Sequence, residues 1–171
     1  MQFYIDAQAL RDGGMTVVKD AEMTPTYILT GRHGLANEGF NLNAISGDAI
    51  GSIRQQTVGF FPRYDLSVHR QRVGSVQKVI GLWHEFVFVS DLNWMIIGNL
   101  LANEYHIYHG VKTVTTIAAV GAATGTTFQV DIRRQADVPA GLLIAAILDR
   151  WRQSALRTPL MRPTPGVSYG V

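Results

Sequence analysis

Cysteine is absent from the 171-residue sequence, which excludes disulfides, thiolate metal sites and cysteine nucleophiles. Charge is scarce as well: Asp, Glu, Lys and Arg make up 16% of the residues, and the formal net charge is only +2. Binding to a nucleic-acid backbone relies on a strong positive field, so no nucleic-acid partner is expected.

Long apolar segments are also missing. No apolar run reaches the roughly 18 residues that a membrane-spanning helix needs. The first residues, MQFYIDAQALRDGG, do not place a basic segment before an apolar one, as a secretory signal does. The expected location is therefore the cytoplasm, with peripheral contact to the inner membrane face left open.

Catalytic signatures are not found either. The GxSxG nucleophile motif is absent, and the glycine-rich stretch at 121–127 lacks the lysine and the following helix of a phosphate-binding loop. Glu104 and His106 share a strand face by period two, but His106 and His109 do not, so the histidines show no metal-binding pattern. The sequence predicts a protein that is not an enzyme and that has no cofactor and no metal.

Short strands are predicted along most of the chain. Between residues 27 and 132, β-branched or aromatic runs alternate with Gly, Asn, Asp or His. Two further strands, QFYIDAQA and MTVVKD, are expected before them, joined by a turn at Asp12, Gly13 and Gly14. The later strands are TYILTG, GFNLNAI, AIGSIRQQ, RYDLSVH, RVGSVQKVI, EFVFVS, NWMIIG, EYHIYH, KTVTTIAAV and TFQVDIR.

The predicted strands repeat as hairpins. GSIRQQTVGFFPRYDLSV, beginning at Gly51, aligns with GSVQKVIGLWHEFVFV, beginning at Gly74, and looser copies follow. The period is about twenty residues, one hairpin per unit, which is typical of an up-and-down barrel and provides too few units for a propeller. Each hairpin has one apolar face, so the series of hairpins must close around another apolar segment or stack on another apolar surface.

A strongly apolar helix is predicted at the end of this series. Asp137 is placed as its N-cap and Pro139 in its first turn, and the helix is expected to end near Gln153. Its middle, residues 140–148, has no polar side chain on any face, and a helix apolar all round is buried all round. The core residues predicted for this helix are Leu142, Leu143, Ile144, Ala145, Ile147 and Leu148.

Three surroundings for this helix are compatible with the sequence. A helix of about 16 residues is roughly 24 Å long, comparable to a strand of six or seven residues, so a closed sheet could enclose it. The alternatives are a helix packed between one sheet face and an oligomer, and a membrane-inserted segment. The fold expected first is mainly β (α+β): a closed antiparallel β-barrel of hairpins that encloses the C-terminal helix at about 138–153.

The remaining residues have a different character. Residues 1–153 are expected to form one domain, whereas SALRTPLMRPTPGVSYGV, residues 154–171, loses the periodicity and gains prolines. Such a composition predicts a disordered tail.

The strand motifs resemble a known family. AIGSIRQQTVGFFPRYDLSV, VGSVQKVIGLWHEFVFV, LNWMIIGNLLANEYHIY, TTIAAV with TFQVDI, and the last helix are similar to the YxjI-like bacterial branch of the LURP-one-related proteins. The most specific pieces are the pattern from Ile53 to Tyr64 and the series Trp94, Gly98 and Tyr105. The resemblance covers residues 1–153, whereas the small residues at 121–127 depart from the aromatics that relatives tend to carry.

The resemblance implies a fold and a range of roles. These proteins belong with the tubby C-terminal domains and the phospholipid scramblases, which implies a closed antiparallel β-barrel threaded by a hydrophobic central helix. Tubby domains bind phosphoinositide head groups, scramblases are associated with lipid movement and calcium, and the plant members are linked to defence. No catalytic signature is among the shared motifs.

One stretch of the chain is basic. Between residues 50 and 80, five cations face a single acid, Asp65, a local excess of four positive charges. Strand alternation places Arg54 on the face opposite to Ile53, hence outward, whereas Lys78 shares the parity of Val76 and is expected inward or at a rim. The candidate anion-binding residues are Arg54, Arg63, Arg70, Arg72 and Lys78.

The leading hypothesis is a non-enzymatic interaction module that binds anionic phospholipid head groups, such as phosphoinositides, or phosphorylated ligands through this basic stretch. One alternative is a solvated barrel wall without a ligand, and another is a scaffold that binds a protein partner through the tail or through bends carrying Phe60, Phe61 and Trp83. A carrier of apolar molecules is disfavoured because the helix would fill the barrel. Scramblase-like lipid movement is disfavoured because no spanning segment is predicted.

Overall fold

A computed structural model describes residues 1–32, 38–57, 62–79, 85–99, 104–121 and 127–157. Twelve antiparallel strands form a closed barrel in which each strand pairs with its neighbours in the chain, and β1 pairs with β12 to close it. The predicted antiparallel barrel is confirmed. The strands are β1 Gln2–Asp6, β2 Met15–Asp20, β3 Pro25–Arg32, β4 Gly39–Ala44, β5 Ala49–Thr57, β6 Arg63–Val68, β7 Gln71–Val79, β8 Glu85–Ser90, β9 Trp94–Asn99, β10 Glu104–His109, β11 Lys112–Val120 and β12 Thr127–Ile132.

The last helix, α2 Val138–Arg157, lies inside the barrel. Residues 138–149 are buried on every face, and the six predicted core residues are at most 1% exposed. Because one chain provides all of this burial, the strands themselves must surround the helix, and no oligomer or membrane is needed to cover it. None of the described helices, α2 included, combines the length and the hydropathy required to cross a bilayer.

Both ends of α2 differ in detail from the predicted ones. A 3-10 turn, Gln135–Asp137, precedes the helix, and the carboxylate of Asp137 accepts hydrogen bonds from the guanidinium of Arg134. At the other end the helix continues to Arg157 instead of ending near Gln153. No Gly or Pro interrupts residues 154–157, and the first helix breaker is Pro159. Residues 158–171 of the predicted tail lie outside the described residues.

The first predicted hairpin was wrong in its connection. A short helix, α1 Ala7–Gly13, replaces the end of the expected strand, although β1 and β2 still pair with each other. The carboxylate of Asp6 accepts a hydrogen bond from the Ala9 amide at 3.0 Å, and Gly14 ends the helix in the left-handed conformation with φ 66°. A good N-cap followed by a good C-terminal glycine therefore overrides the alternation that suggested a longer strand.

The hairpin repeat corresponds to a repeated packing arrangement. A Cβ atom on Gly51 would lie 2.8 Å from the carbonyl oxygen of Ser67, and one on Gly74 would lie 2.6 Å from the carbonyl oxygen of Ser90. In both copies the backbone of the next strand approaches the glycine too closely for a side chain. The sequence similarity between the copies thus has a steric cause.

The two ends of the barrel are built differently. One end, the short-turn end, carries the turns after β2, β4, β6, β8 and β10 and the entry to α2. The opposite end, the α1 end, carries α1 and the other five hairpin connections, each of which lies wholly or mostly outside the described residues. Arg157, at the C-terminal end of α2, belongs to the α1 end because the helix enters from the short-turn end.

Candidate anion-binding surfaces

The interior of the barrel is occupied by side chains. Leu143, Ile144 and Leu148 of α2 belong to the same apolar core as Leu66 of β6 and Val76 of β7. All five side chains are fully buried. A ligand would therefore bind on the outer faces of the strands or at one of the two ends.

Three of the predicted basic residues come together on the outer face. Arg54 on β5 lies opposite Asp65 on β6, and the Nε atoms of Arg63 and Arg72 lie 3.9 and 3.3 Å from Oδ1 of Asp65. Arg72 also donates from Nη1 to Oδ2 of Asp91 at 3.0 Å. We call Arg54, Arg63 and Arg72 the arginine wall. Two carboxylates offset its three cations, so the wall carries one net positive charge.

Further hydrogen bonds hold the wall against the sheet. Arg63 donates from Nε to the hydroxyl of the buried Ser75 at 2.5 Å, and Arg54 donates from Nη2 to Oδ1 of Asn41 at 3.4 Å. These contacts use donors that a ligand would otherwise engage.

The other two predicted cations lie elsewhere. Arg70 forms the turn between β6 and β7 together with His69, and both residues have positive φ, 65° and 48°. This turn places Arg70 at the short-turn end. Lys78 lies on β7, where its backbone pairs with Val87, and its side chain is outside the described part of the structure.

A second basic surface is not evident in the sequence. It is a pocket of about 250 Å³ at the short-turn end, between the β10–β11 turn and the connection from β12 to α2. A backbone hydrogen bond of 3.1 Å from the Arg133 amide to the Val114 carbonyl joins the two segments. We call it the basic pocket, and its lining residues are His109, Lys112, Thr113, Val114, Arg133, Arg134 and Asp137.

In the described part of the structure, one cation of the basic pocket is paired with an acid. Arg134 donates from Nε and Nη2 to the two carboxylate oxygens of the buried Asp137 at 2.7 and 2.9 Å. This hydrogen-bonded carboxylate raises the pKa of Arg134. Within the described residues, neither Lys112 nor Arg133 forms an ion pair with an acid. As far as the described residues show, the pocket therefore carries two uncompensated cations.

A polar cluster lies inside the α1 end of the barrel. The hydroxyl of Tyr64 lies 3.5 Å from Oε2 of Glu38, and its ring contacts the Trp151 ring edge-on at 5.5 Å. Glu38 also pairs with Nε of Arg150. Burial, the largest effect, raises the pKa of Tyr64. Since these groups engage one another, the cluster links α2 to the barrel and does not present free groups to a ligand.

The histidines of the described segments do not form a cluster. Nε2 of His106 lies 3.2 Å from Oε1 of Glu104 on the same strand face, as the period-two alternation predicted. His33 and His84 lie outside the described residues, as do the predicted aromatic bends with Phe60, Phe61 and Trp83. Among the residues that are described, no three His, Asp or Glu side chains come together as a metal site would require.

The comparisons with known proteins identify a distant relative. The chain is 25% identical to a protein of Bacillus subtilis (strain 168) named "Uncharacterized protein YxjI" over 132 residues, which cover 77% of this chain and 82% of that relative. No family model matches the sequence, and no solved structure matches it. The similarity thus supports a YxjI-like family at the level of distant homology.

Proposed function

We propose that the protein is a non-enzymatic binding module that docks on anionic phospholipid head groups at the cytoplasmic face of a membrane. The observation that carries this proposal is the basic pocket, where Lys112 and Arg133 have no acidic partner within the described residues. Cations near an anionic bilayer surface contribute about 1 kcal/mol each. Both cations line the same pocket, so we expect one phosphate group to engage both.

The fold also supports the proposal of head-group binding. A closed barrel around a hydrophobic helix, together with the similarity to YxjI, supports extending the resemblance to the tubby-like and scramblase-like superfamily. Among the roles of that superfamily, head-group binding is the one for which the basic pocket has suitable chemistry. The arginine wall is a weaker candidate because Asp65 and Asp91 compensate most of its charge.

Vesicle co-sedimentation tests the proposal. The full chain is mixed with vesicles of phosphatidylglycerol and phosphatidylcholine, or of phosphatidylcholine alone, at low and at physiological salt. We expect binding to the anionic vesicles only, weakened by salt because exposed charges are screened within about 8 Å at physiological ionic strength. Absence of binding under all conditions would contradict the proposal.

Two double variants with the same change in charge locate the binding site. Lys112→Gln with Arg133→Gln alters the basic pocket and leaves the Arg134–Asp137 pair intact. We expect it to lose roughly 2 kcal/mol of binding, about thirtyfold in affinity. The control, Arg54→Gln with Arg70→Gln, also removes two exposed cations without an ion pair in the described residues, but these lie on β5 and in the β6–β7 turn and do not line the basic pocket. It should therefore retain most of the binding. Equal losses in both variants would mean that charge acts diffusely and that the pocket is not a site.

A further inference from the structure

Part of the outer surface of the barrel is apolar, in addition to the barrel interior. Phe86 and Phe88 on β8 and Met95 on β9 point outward and are 42%, 43% and 47% exposed. Phe88 lies directly opposite Met95 in the sheet. An antiparallel sheet that faces water usually carries polar residues at such positions. The inward neighbours Val87 and Val89 already supply the core, so folding alone does not require these exposed side chains.

The apolar surface continues across neighbouring strands. Ile97 of β9 lies opposite Phe86, and Tyr108 of β10 lies opposite Met95, both partly buried on the outer face. We call Phe86, Phe88, Met95, Ile97 and Tyr108 the apolar face. No charged side chain stands among these five positions. The hydrogen-bonded Glu104 and His106 adjoin them, because His106 lies opposite Ile97 and its ring stacks on that of Tyr108 at 6.1 Å.

This face runs into the basic pocket at the short-turn end. Tyr108 is followed by His109, which lines the pocket, and the next turn carries Val111, which is 97% exposed, and then Lys112. The order along the surface is therefore apolar strand face, apolar turn tip, cations. Aromatic and aliphatic side chains beside Lys or Arg are the pattern of a surface that lies in the interfacial layer of a bilayer.

The size of the face favours a bilayer over a second copy of the chain. At roughly 200 Å² for a large side chain, the exposed parts of Phe86, Phe88 and Met95 amount to about 250 Å². Stable protein complexes bury about 800 Å² on each partner. A few side chains inserted beside anionic head groups need no such area, because the cations of the pocket supply the complementary charge.

We propose that Phe86, Phe88 and Met95 insert into the boundary between head groups and acyl chains of an anionic bilayer while the basic pocket holds a head-group phosphate. This inference rests on the proposed function and adds an orientation to it. The barrel contacts the membrane with β8 to β10 and the adjacent part of the short-turn end, and the α1 end points away.

The absence of cysteine makes a direct test possible. Met95→Cys, labelled with an environment-sensitive fluorophore, reports on the apolar face. Met15→Cys is the matched control, because Met15 is also an outward methionine, 55% exposed, and four strands separate β2 from β9 on the shorter way round the barrel. With vesicles of phosphatidylglycerol and phosphatidylcholine, we expect a blue shift and protection from an aqueous quencher at residue 95 only.

A label at residue 95 that stays in water while the protein co-sediments with vesicles would overturn the inference and leave the proposed function standing. Failure to co-sediment would overturn both. A residue 95 label that is shielded without vesicles, in a protein of doubled mass, would assign the face to a second copy and also overturn the inference.

A variant pair provides a second readout. Phe88→Ser with Met95→Ser should weaken vesicle binding by about tenfold because apolar area no longer enters the membrane. Its binding should keep the salt sensitivity of the parent, whereas the pocket variant should lose much of it. Thermal unfolding of both variants checks that the barrel is intact, and unchanged vesicle binding by a folded Phe88→Ser, Met95→Ser variant would overturn the inference.

Discussion

The arginine wall and the basic pocket contain similar residues but differ in how their charge is used. In the wall, Arg72 lies between Asp65 and Asp91, and the second acid comes from a different hairpin. In the pocket, Arg134 takes the one buried acid, Asp137, and the other cations have no acidic partner in the described structure. A local excess of cations along the chain therefore does not by itself identify an uncompensated positive surface.

The largest expected effect tests the barrel with its enclosed helix, on which both the arginine wall and the basic pocket depend. Ile144 is fully buried in α2, so Ile144→Asp would place an unpaired charge in the barrel interior. We expect it to prevent folding or to cost at least about 4 kcal/mol of unfolding free energy, measured by urea denaturation. The control Val111→Asp, at a turn tip, should change stability by less than about 0.5 kcal/mol. An Ile144→Asp variant as stable as the parent would contradict the enclosed helix.

A smaller effect should distinguish the acids of the two regions. Arg134→Gln leaves the buried carboxylate of Asp137 without its cation, whereas Arg72→Gln leaves Asp65 and Asp91, whose side chains are 27% and 57% exposed. Because Arg63 still lies 3.9 Å from Asp65 and water solvates the more exposed Asp91, Arg72→Gln should cost less than about 1 kcal/mol. Arg134→Gln should lower Tm by clearly more than Arg72→Gln does. Equal Tm shifts in the two variants would show that Asp137 is hydrated in the same way as the wall acids.

Tyr64, on the inner face of β6, predicts that the stability of the fold depends on pH in the alkaline range. The folded protein raises the pKa of Tyr64 above its ordinary value of 10.0, mainly through burial. The neutral phenol is thus favoured by folding, and its contribution is complete below pH 10 and is lost as pH rises through the raised pKa. The unfolding free energy of the parent should fall in this alkaline range, and Tyr64→Phe should reduce that fall. An identical alkaline fall in both proteins would contradict the prediction.

The smallest expected effect comes from removing an acid from the arginine wall, so that less of its positive charge is compensated, as in the basic pocket. Asp91→Asn removes one of the two acids that Arg72 contacts, and Asn suits the positive φ of 65° at this position. If uncompensated charge is what matters, binding to anionic vesicles at low salt should increase about fivefold. Asp48→Asn, an exposed turn acid that contacts Ser46, makes the same change in net charge away from the wall. An equal gain from both variants would point to net charge alone.

Most of the fold could be predicted because its signals are local. Alternation of apolar residues marks strands such as β6, where Tyr64 and Leu66 face inward and Arg63 outward. The helix α1 could not be predicted in the same way, because capping by Asp6 acts on a segment whose composition also suits a strand. Its first residue, Ala7, is buried and is compatible with either a helix or a longer strand.

The candidate site was predicted only in part. Outward positions for Arg54 and Arg63 follow from strand parity. Arg72 has the parity of the inward Val76, and it reaches the outer face because the register between β6 and β7 shifts, so that Ser67 pairs with Arg72. Its approach to Asp91, in the turn after β8, depends in addition on the pairing of β7 with β8. A feature that the sequence does show is the pair Arg133 and Arg134 directly before the helix. The predicted hairpin of β11 and β12 already places Arg133 beside the start of β11, but it does not show whether an acid lies within reach of Arg133 or Lys112.

The sequence by itself determined a hairpin barrel and the burial of its last helix. Each hairpin has one apolar face to cover, and residues 140–148 have no polar face to expose, so the two requirements satisfy each other. Tertiary structure alone decided which cations are free. The pairing of β11 with β12 brings residues 109–114 beside residues 133–137, and strand register brings an acid to the wall. Charge compensation depends on distances between segments that are remote in sequence, and only the closed sheet sets those distances.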